Sequence, residues 1–170
     1  MNTMNLDTTC FKTLHQTEDW MYTNISALAK IDFSFDAGTA KKEDIEKFDI
    51  APTHPFVVMV NGTFNKETSR INDHIQINAT HEVTNSVVIR GESKIPTLEC
   101  DTITITGNQE KTIHVLQLVT GDSPTCCAGR VLIYAAKDES ISIAETHVCL
   151  EEVEHLFMPV TEIVANENST

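Results

Sequence analysis

The chain has 170 residues, 41% hydrophobic and 22% charged, which is enough for one domain with a sizeable core. Twenty-five acids against 12 bases give a formal net charge of −13, so phosphate backbones and anionic lipid, which need clustered cations, are excluded as partners. No apolar run approaches the roughly 20 residues of a bilayer span, and the opening MNTMNLDTTC lacks the basic and apolar regions of a secretory signal. The five cysteines (Cys10, Cys100, Cys126, Cys127 and Cys149) are odd in number and irregularly spaced. That pattern points to reduced thiols in a cytoplasmic protein, not to a disulfide framework.

Only the first 50 or so residues carry helical signals. Thr17-Glu18-Asp19 has the flavour of a helix start, Ile25, Leu28, Ala29 and Phe33 follow helical spacing, and KKEDIEKF is a second short candidate. Gly38 breaks the pattern between them. From Pro52 the chain reads as strands. PFVVMVNGTF is an apolar run ending in Asn61-Gly62, the commonest two-residue hairpin signal. HIQIN, NSVVIRG, DTITITGN, TIHVLQLVTGDSP, RVLIYAAKDES, SISIAETHV and FMPVTEIVANENS follow, each closed by Gly, Asn, Asp or Ser. DTITITG places Ile103 and Ile105 on one face, whereas VLQLV and VLIYA do not alternate, as in strands buried on both sides.

Many short strands fit a sandwich, a barrel or a solenoid. The echo between VLIYAAKDES and TEIVANENST favours the solenoid, with the corner residues Ser140 and Ser169 setting a 29-residue repeat. It predicts Leu132 and Ile163 on stacked parallel strands facing a common interior. An uncovered last strand would leave Val160, Ile163 and Val164 without a covering layer and invites self-association.

The segments EDWMYTNISALAKIDF, FVVMVNGTFNKETSRI, TIHVLQLVTGD, RVLIYAAKDESISIAETHVCLEE and PVTEIVANENS occur in an order that resembles the N-terminal portion of SufD. SufD belongs to the SufB/SufD family, the scaffold of SUF iron–sulfur cluster assembly. Trp20, Tyr22, Thr23 and Asn24 fit the family's first signature, and Val60, Asn61, Gly62 and Phe64 its second. Ile113 and His114 fit its Pro-Ile-His strand, and Arg130, Glu145, Glu151, Thr161 and Glu162 its first core rungs. Residues 65–100 are shorter than the family's insertion, and Cys127-Ala128-Gly129-Arg130 stands where the family often has Ser-His-Pro-Arg.

The resemblance implies a mainly β fold, a partial right-handed parallel β-helix with a short helical N-terminal segment. Residues 1–51 would form the helical leader, with Trp20 and Tyr22 as aromatic anchors against the first strands. Residues 52–96 would be short strands and turns, and 97–170 the first rungs of a core that looks truncated. It implies a cytoplasmic, non-enzymatic scaffold component that pairs with a SufB-like subunit. Contact with a SufC-like ATPase would run through a C-terminal region outside this sequence. A cluster would be held only transiently with partner subunits, and none stably by this chain.

Two rivals stand beside it, a stand-alone metal-binding or redox thiol protein and a structural β-solenoid adaptor. Iron and its clusters favour thiolate, with imidazole tolerated, so the weak metal candidates are His147 and Cys149, which share a strand face, completed by Cys126 or Cys127. Cys126 and Cys127 themselves point to opposite faces. No Cys-x-x-Cys, nucleophile elbow or phosphate-binding glycine loop occurs. His114, in an apolar strand, reads as a core histidine, and Glu145 as a corner residue or buried polar group.

Overall fold

The computed structural model describes Tyr22 and residues 26–78, 101–107 and 110–170. Trp20, Thr23, Asn24, Cys10, Cys100 and the expected strand NSVVIRG lie outside the described residues. Tyr22 is 91% exposed, so it does not anchor the leader against the strands as expected of it. Among the described residues, the helical elements are a 3-10 turn, Ser26–Lys30, and one short helix, α1, Lys42–Glu46. Glu43 and Asp44 in the first turn of α1 complement its dipole, and Ile45 is its buried contact. Gly38, at φ +63, breaks the chain between the two, and a side chain there would collide with Asn61.

The rest is mainly β. The strands are β1 (Phe56–Val60), β2 (Thr63–Phe64), β3 (Ile75–Asn78), β4 (Thr102–Thr106) and β5 (Ile113–Val119), then β6 (Thr125–Cys127), β7 (Arg130–Ala135), β8 (Ile143–Cys149), β9 (His155–Phe157) and β10 (Val160–Ala165). β1 and β2 form the hairpin that Asn61-Gly62 predicts, with positive φ at both turn residues. Among the described residues they form three sheets, ordered β2-β1-β5-β8, β10-β7-β4-β3 and β6-β9. From β4 onward the chain visits the second, first and third sheets in turn, repeats that order, and returns to the second with β10. Every pairing among these later strands is parallel, with Thr102 and Val160 both opposite Arg130, Ile113 opposite Ile143, and Thr125 opposite His155.

The echo seen in the sequence is therefore a stacked register, but it runs at 30 residues instead of 29. Ile163 pairs with Ile133, and Leu132 pairs with Glu162. Because side chains alternate, that one-residue difference puts Leu132 and Ile163 on opposite faces, contrary to expectation. The corner residue equivalent to Ser140 is Thr170, whose backbone bonds to Glu139 and Ile141. Asp138 and Asn168 share the left-handed conformation, at φ 63 and 58, and their side chains bond at 3.0 Å.

Two apolar clusters form the core. The inner one joins Val57, Met59, Ile113 and Val115 of the first sheet to Ile75, Ile103, Ile105, Val131 and Ile133 of the second. The outer one packs Phe56, Val58, Val60, Leu116 and Leu118 beneath Ile45. β5 is buried along its whole length because both of its faces are covered, as VLQLV predicts. β7 does not follow that expectation. Its residues alternate, with Val131, Ile133 and Ala135 buried and Tyr134 43% exposed, since α1 covers the first sheet and not the second. One edge of each sheet is covered by the N-terminal segments β1, β3 and Ser34, the last through a bridge to Thr125.

Candidate functional site

The inner face of β8 sets the chemistry apart from the apolar layer beneath it. Register places Glu145 over Val115, His147 over Gln117 and Cys149 over Val119. Glu145 gathers three partners from three strands. Gln117 Nε2 donates to its Oε1, Thr161 Oγ1 donates to its Oε2 at 2.7 Å, and His147 Nε2 lies 3.1 Å from Oε1. Burial pushes the Glu145 carboxyl up, but the bonds from Thr161, His147 and Gln117 outweigh it and hold the group below its usual range. Gln117 is only 1% exposed, and its Oε1 has no hydrogen-bond partner among the described residues. Its amide fits because residue 129 is glycine, where a Cβ would lie 1.8 Å from Gln117 Oε1.

The candidate ligands do not converge. His147 and Cys149 share the inner face of β8, as their spacing predicts. Phe157 packs edge-on against His147 at 5.2 Å and lies opposite Cys127, so the alternation of β6 turns Cys126 away from them. Cys126 is buried and its thiol is pushed up to about 12 by desolvation, which disfavours the thiolate a metal needs. Cys127 is also buried, and Cys149 is exposed. Among the described residues no group of three or more His, Cys, Asp or Glu side chains is placed to hold a metal ion. These donors do not fit a resident iron–sulfur cluster.

His114 is the core histidine its strand predicts, at 2% exposure. It stacks on Phe56 with ring centroids 5.0 Å apart, and Nε2 meets Thr146 Oγ1 at 2.9 Å, while Nδ1 is buried without a partner among the described residues. Arg70 lies over the Phe56 ring at 5.3 Å and bonds Asp49 through both terminal nitrogens, at 2.8 and 3.0 Å. Burial lowers the affinity of His114 for a proton, Asp49 opposes this and Arg70 adds to it.

A second polar tie closes the corner after β5. Asn61 exchanges two bonds with the Thr120 backbone and donates to Asp36 O, and Glu151 accepts from Thr120 Oγ1 and Gly121 N–H. Asn61 and Glu151 were named by the resemblance, but their joint grip on Thr120 was not legible, because the partners stand 59 and 31 residues apart.

The surface that remains is the far edge of the three sheets. β8, β9 and β10 are each the last strand of their sheet, so their outward backbone groups have no strand partner among the described residues. The column Ile75, Ile105, Ile133 and Ile163 runs through this stack in register. Its first three members are buried, whereas Ile163 is 67% exposed. Covering an isoleucine of that exposure would contribute about 1–2 kcal/mol. No family model and no curated protein matches the chain.

Proposed function

We propose that this protein is a SufD-like component of an iron–sulfur cluster assembly scaffold, acting in the cytoplasm through pairing with a SufB-like subunit and not as an enzyme. The observation that carries the reading is the order of the strands. Strands recur in one order, β4-β5-β6 then β7-β8-β9 then β10, with parallel pairing between successive rounds, which supports a solenoid reading. We take them as the first turns of a right-handed parallel β-helix, the core expected of the SufB/SufD family. The landmarks of the resemblance fall on structural joints of that coil. Asn61-Gly62 makes the hairpin, Glu145 the inner polar cluster, and Glu151 the corner tie.

In this reading the cluster is cargo assembled with partner subunits, and the burial of Cys126 and Cys127 away from the exposed Cys149 is in keeping with that. What the chain contributes is a stack of parallel strands. The experiment is co-expression of the chain with SufB-like and SufC-like subunits, followed by affinity capture and native mass spectrometry. The reading expects a stoichiometric complex with the SufB-like subunit. A folded chain that is recovered alone from every combination contradicts it.

A further inference from the structure

We infer that Asn61 is a one-way modification site. It keeps its amide while the corner after β5 is closed, and once that corner opens it deamidates to aspartate or isoaspartate, neither of which can close the corner again. The chemistry lies within the chain and is independent of the scaffold reading. Asn61-Gly62 is the single Asn-Gly step in the sequence. Glycine has no side chain to shield its backbone nitrogen, so that nitrogen can approach the preceding amide carbon. Gly62 N attacks Asn61 Cγ and a bond forms between them. The bond from Cγ to the amide nitrogen breaks, and that nitrogen leaves as ammonia with the proton Gly62 N gives up. Water then opens the succinimide ring at one of its two carbonyls. Opening at one leaves aspartate, and opening at the other leaves isoaspartate, whose main chain runs through Cγ. Water is the only co-reactant, and nothing is oxidised or reduced.

The closed fold opposes the first step in two ways. Asn61 is left-handed, at φ 48, in the turn between β1 and β2. A left-handed residue turns its Cβ away from the following nitrogen, whereas the five-membered ring needs the two on one side. The side chain is also held at both ends. Its Oδ1 accepts the Thr120 N–H at 2.9 Å, and its Nδ2 donates to Thr120 O at 2.9 Å and Asp36 O at 3.1 Å. Glu151 grips the same corner, accepting from Thr120 Oγ1 at 2.8 Å and Gly121 N–H at 3.0 Å. Attack therefore waits on local opening of this corner. The product blocks the return. Aspartate puts an acceptor-only oxygen where Nδ2 donated, against the carbonyls of Thr120 and Asp36. Isoaspartate lengthens the main chain of a two-residue turn whose length sets the β1–β2 register. A passing opening thus becomes a permanent one, as when an opened state is modified before it can refold.

The test incubates the full chain at mildly alkaline pH in native buffer, in unfolding urea, and as the Glu151→Ala variant. Mass spectrometry of the peptide spanning residue 61 reads the exchange of NH2 for OH, and its elution separates aspartate from isoaspartate. Deamidation of Asn61 should be at least about tenfold slower in the native chain than in the unfolded one. Glu151→Ala loosens the grip on Thr120 without touching Asn61, and should raise the native rate at least about threefold with an unchanged circular dichroism spectrum. If that variant does not fold, urea graded below the unfolding midpoint takes its place, and the native rate should climb with urea. Deamidated chain, separated and returned to native buffer, should exchange its Thr120 and Gly121 amides faster than the wild type and unfold at lower urea. Asn61→Asp should do the same from the start. Equal rates in native and unfolded chain, a native rate that ignores both the variant and urea, or a deamidated chain as stable as the wild type would each overturn the inference.

Discussion

Replacing Gly129 with alanine tests the inner polar cluster directly. The new Cβ would lie 1.8 Å from Gln117 Oε1, 2.8 Å from its Cδ and 3.4 Å from Met59 Sδ. The backbone cannot yield without shifting β6 and β7, so the Gln117 amide has to move. Moving it breaks the bond that Nε2 donates to Glu145, and a hydrogen bond to a charged group is worth about 1.5–3 kcal/mol. Alanine also restricts the unfolded chain, which returns about 0.4–1 kcal/mol. The net expectation is a loss of about 1–2 kcal/mol, within the usual range for overpacking. In a Gln117→Ala background the obstacle is gone, and Gly129→Ala should then cost close to nothing. Urea unfolding of the wild type, both single variants and the double variant gives the coupling. A coupling of about 1–2 kcal/mol supports the argument, whereas additivity within about 0.5 kcal/mol refutes it.

Four further outcomes follow from the structure. Burial depresses the folded-state proton affinity of His114, so the unfolded chain binds more protons below the ordinary value of 6.5. Stability should therefore be full above that pH and fall as pH drops through the folded value, and His114→Leu should flatten this part of a pH-stability curve. Asp49 and Glu145 also have lowered values, from ordinary values of 3.8 and 4.5, so their contribution should disappear in a separate, more acidic window. Cys149 should be alkylated by iodoacetamide long before Cys126, whose thiol is buried and pushed up to about 12; mass spectrometry of the native protein reads the order. Asn61→Ala should cost about 2–4 kcal/mol in urea unfolding, because it loses the bonds to Thr120 and Asp36 and places alanine at φ 48.

The sequence was most legible where periodicity and turn chemistry agree. Asn61-Gly62, the alternating Ile103 and Ile105, and the unbroken apolar run of β5 all appear as their residues predict. β6 and β9 were missed because three residues carry no measurable period, although they supply the third sheet. VLIYA reads as a doubly buried strand, yet Leu132 and Tyr134 face outward, and among the described residues no helix lies above them. The repeat was counted from the wrong corner residue, and one residue is enough to turn a side chain to the other face. The inner cluster was hidden for a different reason. Gln117, Glu145 and Thr161 lie 28 and 16 residues apart, and only the stacked register brings them together. His147 and Cys149 share a face, as their two-residue spacing requires, but spacing along one strand could not tell that Cys126 points elsewhere.

The most direct measurement of the central claim is the mass of the complex recovered when the tagged chain is co-expressed with SufB-like and SufC-like subunits. The scaffold reading predicts a one-to-one pairing with the SufB-like subunit. A wild-type chain that is folded and recovered alone, whatever subunit accompanies it, would contradict the account.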